Sequence, residues 1–221
     1  MTRRVAGFSI LVVILMSGVL ASEAQAASIS IPSPGSQSFD ILWSNVVGTT
    51  NLTALGEFDV TVTNTYADFY VTLTNNTVAS ANERVHSIGF NSDPNGTSIS
   101  MLDPGDYFQS IGLDQTFPSF KKIDICAWAS NNCSGGAQGS NLPGGGAPVG
   151  TDSFAFRLNG DFRNGILLNN FVIKFQGDLG SFEFADTTPP QNVPEPSSLL
   201  LLGLGSAVTA CNHRRRRRAR V

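Results

Sequence analysis

The chain has 221 residues, 14% charged residues and a formal net charge of −3. Eight of its 14 basic residues lie among the first four and last eight positions, which leaves 15 acidic and 6 basic residues between positions 27 and 193, a net charge of −9. An acidic surface of this kind disfavours binding to DNA or to acidic polysaccharides and leaves room for cations, and about 167 residues suffice for one domain with a core.

The N-terminus has the pattern of a secretory signal peptide. Arg3 and Arg4 precede an apolar run over residues 5–21, and Ala24 and Ala26 place small residues at the two positions that signal peptidase reads. The sequence therefore predicts a signal peptide over residues 1–26, cut after Ala26, with signal peptidase as a partner. An uncleaved N-terminal membrane helix is the alternative.

Residues 27–186 predict an all-β domain. Apolar residues alternate with polar ones in short runs that end in turn residues such as Asn75-Asn76 and Asp103-Pro104-Gly105. We expect eight or nine antiparallel strands in a two-sheet, jelly-roll-like sandwich with inward-facing phenylalanines, and a closed barrel as the alternative. No amphipathic helix of ten residues is visible, and a single helical turn is expected at 166–170. The expected strands cover 39–43, 58–62, 69–73, 85–90, 123–128, 154–158, 171–175 and 182–184.

Cys126 and Cys133 are the two cysteines of this domain. Outside the cytoplasm, thiols so close in sequence are expected to oxidise, whereas a zinc site lacks ligands because His86 is the single additional soft ligand. We therefore predict a disulfide. The glycine-rich segment 134–150 that follows is expected to be a flexible loop without buried apolar area, and Cys211 near the C-terminus to be a free thiol.

Candidates for chemistry or binding are few. A catalytic triad would have to use His86, which we expect to be structural, and Glu57 and Asp59 share one face of a single predicted strand, unlike a glycosidase pair. We predict no catalytic residues and no cofactor. Asn91, Asp93 and Asn95 resemble part of a calcium loop but lack its closing glutamate, so ordinary turns are favoured over calcium. Trp128 is the candidate for stacking on a carbohydrate.

The last residues combine a motif, an apolar run and a basic tip. Val193, Pro194, Glu195 and Pro196 precede the uncharged segment 197–211, and Arg214, Arg215, Arg216, Arg217 and Arg218 follow it. As a helix the apolar segment measures roughly 22 Å, and it spans a ~30 Å hydrocarbon core if the bilayer thins and the arginines snorkel. The arginine run predicts a cytoplasmic end. An anchor that is never cut is the alternative.

This order resembles the PEP-CTERM sorting signal of bacterial envelope proteins. The resemblance implies processing near Pro194-Glu195-Pro196 by an exosortase, with residues 187–193 as a linker and 194–221 as the signal. A second resemblance, to the cistern group of PEP-CTERM proteins, rests on residues 87–94, Phe117-Pro118, 123–126 and 131–136. The glycine run after Cys133 departs from that group's pattern, and the resemblance supplies no catalytic residues.

These observations predict an exported, non-enzymatic envelope or extracellular-matrix protein that begins as a precursor anchored in the inner membrane through its C-terminal helix. The mature form is expected at the cell surface or outside the cell. The alternative is a carbohydrate-binding sandwich, with extracellular polysaccharide as partner and calcium as an aid; a secreted hydrolase is the least favoured function. Nucleic acid is not an expected partner.

Overall fold

Alternating apolar residues build two antiparallel sheets in the computed structural model, which describes residues 27–187. Short 3₁₀ turns at Ala79–Ala81 and Gln138–Ser140 are the helical elements of these residues, as the lack of amphipathic helices predicts. Eleven strands are present: β1 (Ser28–Ile31), β2 (Gly35–Val47), β3 (Thr50–Val62), β4 (Tyr66–Asn75), β5 (Arg84–Asp93), β6 (Ser98–Asp103), β7 (Ser110–Phe117), β8 (Lys121–Trp128), β9 (Thr151–Asn159), β10 (Ile166–Gly177) and β11 (Gly180–Ala185).

The strand order confirms an all-β fold of two antiparallel sheets. Sheet A has the order β1-β10-β5-β8-β7, with β11 also paired to β10, and sheet B has the order β2-β3-β4-β9-β6. Six connections pass from one sheet to the other, which is jelly-roll-like: β1 to β2, β4 to β5, β5 to β6, β6 to β7, β8 to β9 and β9 to β10. Strands β1, β6 and β7 were not expected from the sequence, because they are short or largely half-exposed.

A layer of phenylalanine rings fills the space between the sheets. Phe58 of sheet B contacts Phe90 and Phe171 of sheet A edge to face, with ring centroids 6.1 and 5.8 Å apart. Phe39 stacks on Phe58 at 5.1 Å. These side chains are buried, which confirms that the alternating phenylalanines of β2, β3 and β5 face inward. Aromatic packing of this kind contributes about 0.5–1.5 kcal/mol per pair beyond the burial of area.

The predicted helical turn at 166–170 is wrong, because these residues are the start of β10. They pair with β1 on one side, through Ile29 and Leu168, and with β5 on the other, through Ser92 and Leu168. A register shift between Asn169 and Val172 interrupts this ladder, and Asn170 has a φ of 53°. This bulge breaks the period-two pattern in the sequence, which is why the strand could be mistaken for a turn.

The expectation of a flexible segment at 134–150 is also wrong. Leu142 is 0% exposed and belongs to the main core. Its backbone exchanges two hydrogen bonds with Val85 of β5, at 2.9 and 3.0 Å. The glycines permit close backbone approach here: a Cβ on Gly144 would lie 2.5 Å from the carbonyl oxygen of Thr77. Glycine therefore serves packing in this segment.

We predict that Leu142→Ala lowers the free energy of unfolding by about 2–5 kcal/mol, because it leaves a cavity in the main core. The matched control is Val149→Ala in the same segment, where Val149 is 66% exposed and the expected change is within about 0.5 kcal/mol. Guanidinium chloride unfolding of the exported chain measures both. Equal small effects would mean that the segment does not pack as described.

Candidate functional site

A second cluster of buried apolar residues lies against sheet A, separate from the main core. It consists of Phe117, Ile123, Cys126, Cys133 and Val172, with Phe120 and Trp128 packed at its margin. Gly89 of β5 makes room for it, since a Cβ there would lie 2.8 Å from the Cγ2 atom of Ile123. This cluster forms the buried side of the cysteine loop, residues 126–133.

Cys126 and Cys133 form the predicted disulfide. Cys126 lies on β8 with its side chain in the second cluster, and the loop returns to place Cys133 beside it. The Oγ atom of Ser87 donates to the Cys133 carbonyl oxygen at 3.0 Å, and Ser134 Oγ donates to the Thr116 carbonyl oxygen at 2.8 Å. Both side-chain bonds join the cysteine loop to sheet A.

His86 is a buried structural residue in this arrangement. Its Nδ1 atom lies 3.0 Å from Asn141 Oδ1 and its Nε2 atom lies 2.8 Å from the Asn132 carbonyl oxygen. Neither partner is a carboxylate or a hydroxyl nucleophile, so the ring lacks the neighbours of a catalytic triad. His86 instead links β5 to the cysteine loop and to the glycine-rich segment.

The stretches behind the second resemblance meet at this place. Residues 87–93 lie on β5 and 123–126 on the adjacent β8, paired through Gly89 and Cys126. Phe117 belongs to the second cluster, and residues 131–136 form the end of the cysteine loop. Separate segments of sequence therefore build one contiguous structure around the disulfide.

The aromatic candidate for carbohydrate stacking is not free. Trp128 is half-buried and packs against the second cluster. Tyr70, which was not among the residues predicted to bind a ligand, is 55% exposed on the central strand of sheet B. Its neighbours across the sheet are Asp59 of β3 and Ala155 of β9. In β4, Tyr70 lies between the buried residues Phe69 and Val71, so the alternation of the strand places its side chain on the outer face. An aromatic residue at an outward-facing position was the signal in the sequence.

Glu57 and Asp59 lie on β3 with exposed side chains. Asp59 accepts a hydrogen bond from Ser38 Oγ on β2. The two carboxylates project from one strand of an open sheet face, whereas a glycosidase pair flanks a bound sugar.

Two of the three calcium candidates, Asn91 and Asn95, both contact Asp124, whereas Asp93 lies apart from them. Asn91 Oδ1 accepts from the backbone N–H of Asp124 at 3.2 Å. With its amide nitrogen turned toward Asp124, Asn95 donates to the Oδ2 atom of that carboxylate at 3.1 Å. Asp93 instead lines a cleft of about 520 Å³ together with Asp161. Among residues 27–187, no group of three or more His, Cys, Asp or Glu side chains is arranged to hold a metal ion.

Charged side chains in the domain serve mainly local contacts. Hydrogen bonds from Arg163 hold the pKa of Asp161 below its usual value. Burial raises the pKa of Glu83, although its Oε1 atom accepts from the backbone N–H of Leu179 at 2.6 Å. Glu83 thereby fixes the turn between β10 and β11.

The C-terminal segment supplies the functional assignment. A family model described as the PEP-CTERM protein-sorting motif matches residues 192–217. The chain carries a PEP-CTERM sorting motif. This motif marks an exported protein whose membrane-anchored precursor is sorted and processed by an exosortase. The match covers the predicted motif Val193–Pro196, the apolar run and Arg214–Arg217.

No curated protein and no solved structure matches the chain. The assignment to the cistern group therefore stays a prediction. The predicted signal peptide, the sorting motif and the arginine run Arg214–Arg218 lie outside residues 27–187. Within those residues, the helical elements are too short to span a bilayer.

We predict that replacing both Cys126 and Cys133 by alanine lowers the free energy of unfolding by about 2–4 kcal/mol, because the unfolded chain regains the conformations that the cross-link removes. Denaturant unfolding of the variant and of the wild type measures the loss. Wild-type protein unfolded in a thiol reductant is the control and should approach the variant. An unchanged midpoint in both would show that the disulfide does not stabilise the domain.

Proposed function

We propose that this chain is a non-enzymatic protein of the bacterial cell envelope or extracellular matrix. A signal peptide over residues 1–26 directs it across the inner membrane, and the C-terminal helix holds the precursor there. An exosortase then cuts near Pro194-Glu195-Pro196 and the domain is released or attached to an extracellular polymer. The sorting motif at 192–217 is the observation that carries this proposal.

The position of the two domain ends supports a double tether. Ala27 and Asp186, near the two limits of the described residues, lie within one hydrogen bond of each other. A domain that follows one membrane segment and precedes another needs both ends on the side that faces the membrane. Because its two ends are adjacent, the domain can be attached to one membrane face through both of them without distortion of the fold.

The chemistry of the domain supports a structural role. The buried disulfide suits an oxidising compartment. His86 is used for packing, and Glu57 and Asp59 sit on an open face, so none of the candidates for acid–base chemistry lies beside a suitable partner in a pocket.

We predict that replacing Pro194, Glu195 and Pro196 by alanines abolishes tail removal in a host that bears an exosortase. The intact mass of the exported wild type should correspond to a chain that starts at Ala27 and lacks Arg214–Arg220. The matched control replaces Pro189 and Pro190 in the linker by alanines, which keeps the sorting motif and should leave processing unchanged. Retention of the arginine tail on mature wild-type protein would contradict the proposal.

A second candidate function, binding of a neutral polysaccharide, is favoured by the outer face of sheet B. Tyr70 is exposed there between hydroxyl and charged pairs that could hydrogen bond to sugar rings. Thr72 Oγ1 lies 3.1 Å from Ser153 Oγ, and Arg157 makes a bidentate ion pair with Asp68, at 2.7 Å for each bond. An apolar ring with polar groups around it is the usual composition of a ligand site.

We predict that Tyr70→Ala weakens retention on the host's extracellular polysaccharide at least about fivefold, the loss expected for a stacking contact of about 1 kcal/mol. Val46→Ala, which truncates another exposed apolar side chain of sheet B, should have no effect. Affinity electrophoresis with and without calcium measures the change. Equal retention of wild type and Tyr70→Ala would remove this candidate, and loss of retention in chelator would indicate that calcium participates.

A further inference from the structure

The first and last strands of the domain meet end to end on β10. β1 pairs with Ile166–Asn169, and β11 pairs with Val172–Gly177 along the same edge of that strand. The β-bulge of β10 lies between these two ladders. Asp186 extends the second ladder, because its backbone N–H donates to the Phe171 carbonyl oxygen at 2.9 Å. The fold therefore places the start of β1 against the end of β11.

At this junction a buried carboxylate accepts a hydrogen bond from the backbone N–H of Ala27, the first described residue. The nitrogen of Ala27 lies 2.8 Å from Asp186 Oδ2. Ala27 is 1% exposed and Asp186 is 7% exposed. A carboxylate removed from water needs strong donors or a positive charge, since the cost of burying it unpaired is large.

The predicted signal-peptide cut falls between Ala26 and Ala27, at that same nitrogen. Hydrolysis of this peptide bond by water would leave a carboxylate on Ala26, which departs with the signal peptide. The new amine on Ala27 takes up a proton at neutral pH, since an α-amino group has a pKa of about 7.7–8.0. A neutral amide donor beside Asp186 would thus become an ammonium group with three donors and a full positive charge.

We propose that removal of the signal peptide creates a buried ion pair between the α-ammonium group of Ala27 and the carboxylate of Asp186. This pair is a maturation latch: it forms once the cut after Ala26 has been made, and it joins β1 to β11. Charge-assisted hydrogen bonds are shorter and about twice as strong as neutral ones. The inference rests on the proposed signal peptide and specifies what its removal does to the domain.

The latch also fixes the exit of the C-terminal segment. Thr187 follows Asp186 directly, and its backbone N–H donates to the Leu42 carbonyl oxygen of β2 at 2.8 Å. Closing the pair between Ala27 and Asp186 therefore holds the start of the linker against both sheets. N-terminal processing would thereby stabilise the point from which the sorting signal extends.

The test is the reactivity of the α-amine in the exported chain, purified after secretion. Brief labelling with an N-hydroxysuccinimide ester of acetate at neutral pH is read by mass spectrometry of the N-terminal peptide. We expect Ala27 of the wild type to react about tenfold or more slowly than Ala27 of Asp186→Asn, because an ion-pair hydrogen bond must open before the amine can react. Asp40→Asn, which removes one exposed carboxylate of β2, should react like the wild type.

A second measurement keeps Asp186 and alters the N-terminus. Chains covering 26–221 and 27–221 are released in detergent from a fusion partner by a protease that leaves the native first residue. We expect the chain that starts at Ala27 to unfold a few degrees higher than the chain that retains Ala26. In the Asp186→Asn background this difference should disappear.

The outcomes separate the latch from the export proposal. A mature protein that starts at Ala27 but shows the same amine reactivity in wild type and Asp186→Asn would overturn the latch and leave export intact. A mature protein whose N-terminus is not Ala27 would overturn both the predicted cut and the latch that depends on it.

Discussion

The backbone ladder of β10 is the interaction on which the rest of the domain depends. One edge of β10 binds β1 and β11 in succession, and the other edge binds β5. The same strand supplies Phe171 to the aromatic layer and Val172 to the second cluster. A single strand thus joins the two ends of the domain, the main core and the cysteine loop, and its bulge lies where β1 and β11 meet.

Polar groups inside the domain are arranged around backbone hydrogen bonding. Asp152 accepts from the backbone N–H groups of Asp106, Tyr107 and Phe108, at 2.8, 3.1 and 2.7 Å, and so fixes the loop between β6 and β7. Lys174 pairs with Glu183 in a largely buried bridge between β10 and β11. Backbone N–H groups in irregular segments lack the carbonyl partners that a helix or a sheet supplies, and a buried carboxylate accepts their hydrogen bonds instead. Function need not be invoked to explain Asp152 and Glu183.

Much of the fold could be predicted because alternation and burial coincide. Phe39, Ile41 and Trp43 follow period two in the sequence and are buried in the structure. The errors arose where long-range contacts override local pattern. Ile166–Asn170 is a strand because β1 and β5 pair with it on its two sides. Leu142 is held in the core because its backbone N–H and carbonyl group both form hydrogen bonds with the backbone of Val85, 57 positions earlier. Composition alone favours disorder for a glycine-rich segment and contains no information about such a partner.

The candidate site divides in the same way. The disulfide followed from two cysteines in an exported domain, and the sorting motif from the order of motif, apolar run and arginines, since both signals are local. Tyr70 was not predicted as a binding residue. In an alternating strand, an exposed aromatic residue is distinguished from a buried one only by whether it occupies an outward-facing or an inward-facing position. The approach of Ala27 to Asp186 joins residues at opposite ends of the domain, so it required the paired strands.

The two ends of the domain also restrict which surface can meet a partner. The backbone N–H of Thr187 donates to the Leu42 carbonyl oxygen on β2, the edge strand of sheet B, so Thr187 lies beside that edge. Long edge strands invite pairing with other chains, and contact with the linker covers part of this one. The cysteine loop covers part of sheet A around the second cluster. Tyr70 lies on the central strand of sheet B, away from both the β2 edge and the cysteine loop, and its side chain is exposed.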